Sequence, residues 1–433
     1  MKNIYQTRIL KKLANLPFAI GLLFLISSLI AIGTLIEQDQ SLSFYKNNYP
    51  ENKPILGFLT WKVITTLNID HIYTAWWFVG ILFLFISSLC ACTLTTQLPS
   101  LRTFKLWKFL GNKEQFKNLS LKDKINNGIS NTLIYHCNSK HYSVFRQNKK
   151  NYAYSGILGR VAPIVVHASI VLLLVGATVG SFGGYVAQEM IPRGEVTHIQ
   201  NIIKAGNLSN IPQDISYRVN DFWIAYTKES KIDQFYSDLS LLDKKGVEVK
   251  RKIIFVNEPL VYKGLTLYQT DWDIIGLKLK INNSKVVQIP FKKIIKSGKK
   301  FWFGSINLAD NNNSKLSFVL NDLQGKISVY NGEGAFVQSS FLGEFFITNE
   351  NSTIQFYEFI TSTGLQIKSD PGISTVYASF LLLMVSVYIS FLTYSQIWSV
   401  ENRGSLILAG KSNRAVLFFQ EEFRRMVKKT NLY

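Results

Sequence analysis

Four stretches of the sequence carry no Asp, Glu, Lys or Arg: Leu13 to Ile36, Ile72 to Leu101, Val161 to Gln188 and Pro371 to Val400. Each holds a helix of about 20 residues, the length that crosses the hydrocarbon core of a bilayer. The expected architecture is therefore a polytopic α-helical membrane protein with four transmembrane helices. At 433 residues and 47% hydrophobic content the chain has room for a substantial water-exposed part as well.

The formal charge of +20 could suggest nucleic acid as a partner, but its distribution argues against that. Residues 102–160 carry 12 basic against 2 acidic side chains, and residues 401–433 carry 7 against 3. Short basic segments stay on the cytoplasmic (or stromal) side. With both termini inside, residues 37–72 and 185–370 fall outside. The predicted layout is two N-terminal spans and a short outer loop in 1–101, a basic inner loop at 102–160 and a third span at 161–184. An outer domain at 185–370, a fourth span at 371–400 and an inner tail at 401–433 follow. The inner loop is read as a topology determinant that touches anionic lipid. The tail segment LFFQEEFRRMVKK is read as a short amphipathic helix on the inner membrane surface.

The third span, within GRVAPIVVHASIVLLLVGATVGSFGG, contains one ionisable side chain, His167, about two turns from its basic end. Titratable groups at that depth are costly and face a bundle interior or a cavity. Pro163 lacks the amide that would bond the carbonyl at 159, which loosens the helix nearby. His167 is the leading site candidate, its alternative being a bond to a neighbouring helix's backbone. His71, at the outer boundary of the second span, is the other candidate, although a boundary histidine is cheaply solvated. Trp76 and Trp77 beside it read as an interfacial aromatic belt or as a stacking surface for a flat ligand. Gly33 and Thr34 are small enough to let spans pack closely, or are ordinary span residues.

The outer segment changes period. Runs such as KIIFVNEPLVYKGLTLYQ and SKLSFVLNDLQGKISVY alternate, favour β-branched and aromatic residues, and are separated by turn residues. This predicts a large, mainly antiparallel β domain, a sandwich or distorted barrel, with 188–244 adding a helix or irregular structure. The domain has no nucleophile–base pair, Walker loop or GxGxxG, so it reads as a binding or scaffolding module. Cys90, Cys92 and Cys137 form neither a CxxC pair nor a disulfide framework, and with no CxxCH the chain holds no covalent c-type haem. His136, Cys137 and His141 match no standard zinc spacing.

The segments IAIGTLIEQDQSLSFYKNNYP, YTAWWF, GRVAPIVVHASIVLLLVGATVGSFGG, RVNDFWIAYTKESKIDQFYSDLSLLD, VNEPLVYKGLTLYQTDWD and DPGISTVYASFLLLMVSVYISFLTYSQIW occur in one order along nearly the whole chain. In combination they resemble the ResB/CcsB family of cytochrome c biogenesis proteins, and most closely its plastid and cyanobacterial branch. The resemblance implies a lumenal domain between the third and fourth spans and a CcsA-type partner. It implies a thylakoid membrane location, in a plastid or alternatively a cyanobacterium, where a bacterial plasma membrane would also serve. The work implied is carriage of haem b across the membrane and its attachment to apocytochromes c, with cytochrome f and a soluble c-type cytochrome as clients. A histidine in the third span is a family feature, here His167, while the family's tryptophan-rich haem-handling signature belongs to the partner and is missing from this chain.

A neutral imidazole is a common axial ligand of haem iron, so His167, and second His71, are the expected cofactor-binding residues for a transient, non-covalent haem b. No residue is expected to be catalytic. The chain is read as a non-catalytic or accessory subunit of a cytochrome c synthase. The alternative is a scaffold that holds apocytochrome and the partner without touching haem. A transporter would show inverted repeats and a sensor a cytoplasmic output domain, and neither is visible.

Overall fold

The computed structural model describes residues 8–431 except 56, 105–108, 112, 118, 127, 283, 297, 309–314, 348–351 and 403. Four helices are long and apolar enough to cross a membrane: Leu16–Leu35, Trp76–Leu101, Leu158–Gly183 and Ile373–Ser390. The chain divides into two compact units, Met1–Val179 with Gly372–Tyr433, and Gly180–Pro371.

In the first unit the second span is the centre. Phe78, Leu82, Phe85 and Leu89 pack on Leu22 and Ile26 of the first span, and Ile170, Val171 and Leu174 of the third span join the cluster. The buried residues of the third span are Gly159, Ala162, Ser169 and Gly176, and those of the fourth are Ser379 and Ser386. Lipid tails are as apolar as Leu, so spans gain by close backbone approach, and small residues at steps of seven provide it. A Cβ on Gly176 would already lie 3.1 Å from Val376 and 3.2 Å from Thr375. Gly33 plays the same part on the first span, where a Cβ would meet Ile72 at 2.6 Å. Thr34 instead faces outward and bonds its own helix at Ala31.

The basic segment and the tail fold together, which the reading of 102–160 as a loop did not anticipate. Strands Leu121–Asn126, Ser405–Ser412, Ser395–Asn402, Lys150–Ser155 and Ser143–Gln147 form one antiparallel sheet in that order. Its two hairpins turn at Asn148 and Gly404, both at positive φ, the backbone that tight β-hairpins require. Helix Ser130–Ser139 and helix Val416–Asn431 cover one face with Leu133, Cys137, Phe419, Phe423 and Met426. Phe116, Tyr152 and Trp398 fill the other. The amphipathic helix read in the tail exists, but its apolar face packs on this sheet. Gly410 lets it in, since a Cβ there would lie 2.9 Å from the Phe419 and Phe423 rings. The fourth span is shorter than its uncharged run, because Ser395 onward is the strand.

Beyond the end of the third span at Gly183, the regular structure of the second unit is all β among its described residues, including Ser216–Tyr226 and Ile232–Leu242 where a helix or irregular chain was one expectation. Its spine is a pair of 17-residue strands, Leu265–Ile281 and Thr353–Ser369, paired antiparallel with register shifts at Gln269/Asp271, Ile274/Gly276 and Lys278/Leu279. One end of this ribbon packs Leu265, Leu267, Leu365 and Ile367 against the four-stranded sheet that contains residues 216–255. The other end packs Leu277, Leu279, Ile354 and Phe356 against a five-stranded sheet through Trp302, Phe318 and Ile327. A buried polar knot at the first bulge joins the halves, where Ser237 and Thr363 both donate to Gln269 Oε1. The mainly antiparallel β domain expected between the third and fourth spans is present.

Candidate functional site

The second span does not run as a uniform α-helix. Past Cys92 the residues Thr93–Gln97 make a π turn before the helix resumes at Leu98. Such turns concentrate at functional sites, and this one faces His167. The imidazole Nδ1 lies 2.9 Å from Thr93 Oγ1, and Nε2 lies 3.3 Å from Gln97 Nε2. The Thr93 hydroxyl donates its single proton to the Leu89 carbonyl at 2.8 Å. Its oxygen must therefore accept from the ring, which places the proton on Nδ1 and leaves Nε2 with a lone pair. Gln97 donates to that lone pair, and its own Oε1 is buried without a hydrogen-bond partner among the described residues. His167 is thus bonded to two side chains of a neighbouring span, and also to that span's backbone at the Leu89 carbonyl.

The outer end of the same span carries His71. The loop before it has its own small core of Ile36, Tyr45, Tyr49 and Ile64. Ser41 and Thr60 cap its two short helices by accepting from Phe44 N and Val63 N. Gln38 joins the ends of the loop, donating to Ile69 O at 3.0 Å and accepting from Ile72 N at 3.1 Å. This holds His71 between two carboxylates, with Nδ1 2.5 Å from Asp39 Oδ1 and Nε2 3.5 Å from Asp70 Oδ2. A carboxylate on Nδ1 fixes the orientation of the ring. Trp77 is drawn into this loop, donating to Leu67 O at 3.0 Å, while Trp76 is 80% exposed.

The two histidines are not brought together. They flank residues 76–92 of the span, which at helical rise is about 25 Å, so they define two sites at opposite ends of one helix. His198 is exposed on the second unit. Cys137 lies in the core of the small sheet domain, where burial pushes its thiol up to about 12. His141 is exposed, and Cys90 is exposed beside Cys92. Thr93, Gln97, Asp39 and Asp70 were not among the sequence candidates. The only signal for the first two was their spacing of four, one helical face, inside an uncharged run.

Gln38→Leu removes both long-range bonds of the His71 loop at a cost of about 2 kcal/mol. A His71→Cys probe is expected to react several-fold faster with a membrane-impermeant maleimide in that background. An unchanged rate would show that other contacts hold the loop.

Four apolar spans, the third of which bears a half-buried histidine, with a β-rich domain between the third and fourth in sequence, define a polytopic membrane protein with a large extramembrane domain. The chain belongs to the ResB-like family, which it matches over residues 16–333 and 304–424. It is 56% identical over 425 residues to a protein of Emiliania huxleyi named cytochrome c biogenesis protein Ccs1, covering 98% of this chain and 97% of that one. A protein of the same name from Pyropia yezoensis is 45% identical over 421 residues, 97% of this chain and 95% of the relative. Cytochrome c biogenesis protein CcsB of Thermosynechococcus vestitus is 44% identical over 417 residues, 96% of this chain and 94% of its own.

Proposed function

We propose that this chain serves cytochrome c biogenesis at the haem delivery and attachment step, in the thylakoid membrane and with a CcsA-type partner. Cytochrome f and a soluble c-type cytochrome are the proposed clients. The relatives' names support the pathway, and one observation supports the step. His167, deep in a span, is held as a neutral imidazole with its Nε2 electron pair directed away from the group that fixes the ring.

The donor set fits haem b. An imidazole that ligates iron must be deprotonated at the ligating nitrogen and held in orientation, and Thr93 and the π turn provide those conditions for His167. Haem, if bound, would supply an iron that His167 could ligate through Nε2. His71 is the second candidate station, more solvated and oriented by Asp39 on its Nδ1, with Asp70 beside its Nε2. The chain's own work is to orient the two rings and to keep the Nδ1 proton in place. The chain acts as an accessory subunit and uses no nucleophile of its own.

The scaffold reading has an observation of its own. Strand Phe336–Phe341 is an edge of its sheet, carries no charge, and exposes Phe336, Val337 and Phe341. Undefended edges invite an extended partner strand, so the domain could hold unfolded apocytochrome.

The test is to co-purify the chain with its CcsA-type partner and record the reduced visible spectrum. In His167→Gly the b-type haem signal is expected to fall at least ten-fold and to return with added imidazole. An unchanged spectrum with normal holocytochrome levels would discard the ligand role and leave the scaffold.

A further inference from the structure

We infer that Gln97 is a displaceable cap on the His167 electron pair and that Thr93 is the positioning residue that keeps this pair available. The inference rests on the reading of His167 as a haem ligand and adds how its access is controlled.

Three observations carry it. The Nε2 atom, the one able to ligate, is already in contact with the Gln97 amide at 3.3 Å. Anything that coordinates there must first move that side chain. This contact is longer than the 2.9 Å to Thr93, and the ring is also held at the Leu89 carbonyl, so the Gln97 side yields first. Among the described residues Gln97 Oε1 is buried with no partner, so the capped arrangement leaves one polar atom unsatisfied, a cost relieved when the side chain swings away. The opposite tautomer is disfavoured on the same bonds. With the proton on Nε2 the Gln97 amide would turn to accept it. Its N–H groups would then take the orphaned place, and buried orphan donors are rarer than under-used carbonyls. Thr93 would also have to withdraw its proton from Leu89. The π turn places Thr93 and Gln97 together on the imidazole, one at each ring nitrogen.

The measurement is a titration of the full-length chain in detergent with haemin, followed by the visible spectrum and by the reduction midpoint of the bound haem. Gln97→Leu keeps the bulk and removes the competing donor, so haemin is expected to bind roughly five-fold tighter with the same low-spin bands. Thr93→Val keeps the shape but removes the hydroxyl acceptor for Nδ1–H, leaving only the Leu89 carbonyl. It is expected to weaken binding roughly five-fold and shift the midpoint, with Thr93→Ser restoring both. His167→Gly, with and without imidazole, is the reference. If wild type and His167→Gly give the same spectrum, the ligand reading falls. If His167→Gly loses the bands while Gln97→Leu and Thr93→Val match wild type, the ligand reading stands and the cap is overturned. Weaker binding in Gln97→Leu would also overturn it, since Gln97 would then be supporting the bound state. Matching gel-filtration profiles of the variants exclude misfolding as the cause.

Discussion

Ending the chain at Leu392 is expected to unfold the small sheet domain completely. The cut removes Ser395–Asn402 and Ser405–Ser412, the second and third strands of a five-stranded sheet, and the helix that buries Phe419, Phe423 and Met426. Leu121–Asn126 loses its only strand partner, and the hairpin Ser143–Ser155 is left alone. An isolated two-stranded hairpin is at best marginal in water. The loss is therefore the domain's entire stability, about 5–10 kcal/mol. Trypsin added to inside-out membranes should cut at Lys124, Lys140 or Lys150 within minutes in the truncated chain and slowly in the full one. Equal protection in both would mean that the first segment folds by itself.

The second large effect is expected from Gly159→Val. A Cβ at this position would lie 2.1 Å from the Leu392 carbonyl oxygen, a backbone atom that cannot turn aside. The third and fourth spans must then part where they meet the small domain. There Arg160 stacks on Tyr394 at 5.1 Å, and a Cβ on Gly156 would meet the Thr393 carbonyl. Overpacking against backbone costs about 3 kcal/mol or more. Gly80→Ala is the control, since nothing lies within 4 Å of its missing Cβ and the second span should gain slightly. Thermal inactivation in detergent should drop by many degrees for Gly159→Val and not for Gly80→Ala. Matching midpoints would show that the two spans do not approach so closely.

The four spans were legible because a charge is so costly in lipid that its absence over 24 residues or more has no cheaper explanation. His167 was legible for the same reason, as the only histidine or charged residue in its run. Its partners were not. Thr93 and Gln97 are neutral polar residues of the kind that also end spans, and a π turn has no sequence signature. The second unit announced itself by alternation, although the bulge at Gln269/Asp271 shifts the phase within Leu265–Ile281, and such shifts hide strands like those in 216–242.

The small domain was hidden by distance and by composition. Its central pairing joins Lys150–Ser155 to Ser395–Val400, with two spans and the whole β unit between them. Its first segment is rich in Lys and Asn and reads as solvated chain. Its strand Ser395–Asn402 is buried on both faces at Ile397, Trp398, Ser399 and Val400. A strand buried on both faces shows the same unbroken apolar run as the end of a spanning helix, so it merged with the fourth span.

The long ribbon of the β unit also sets a schedule. Tyr185–Pro192 pairs with Ile202–Ala205 over its first three residues and with Ser362–Ser369 along its whole length, so the first strand of the unit to be synthesised waits roughly 170 residues for its main neighbour. Neither half-core can close before then, because both lean on Thr353–Ser369. That strand ends just before the fourth span begins at Ile373. During synthesis an open, aromatic-rich polypeptide therefore emerges on one side of the membrane and stays unfinished until the last span is ready to insert. Slow, non-local β pairing exposes such chains to aggregation. The nascent unit is expected to need a holding chaperone on that side, a demand that the finished protein no longer displays.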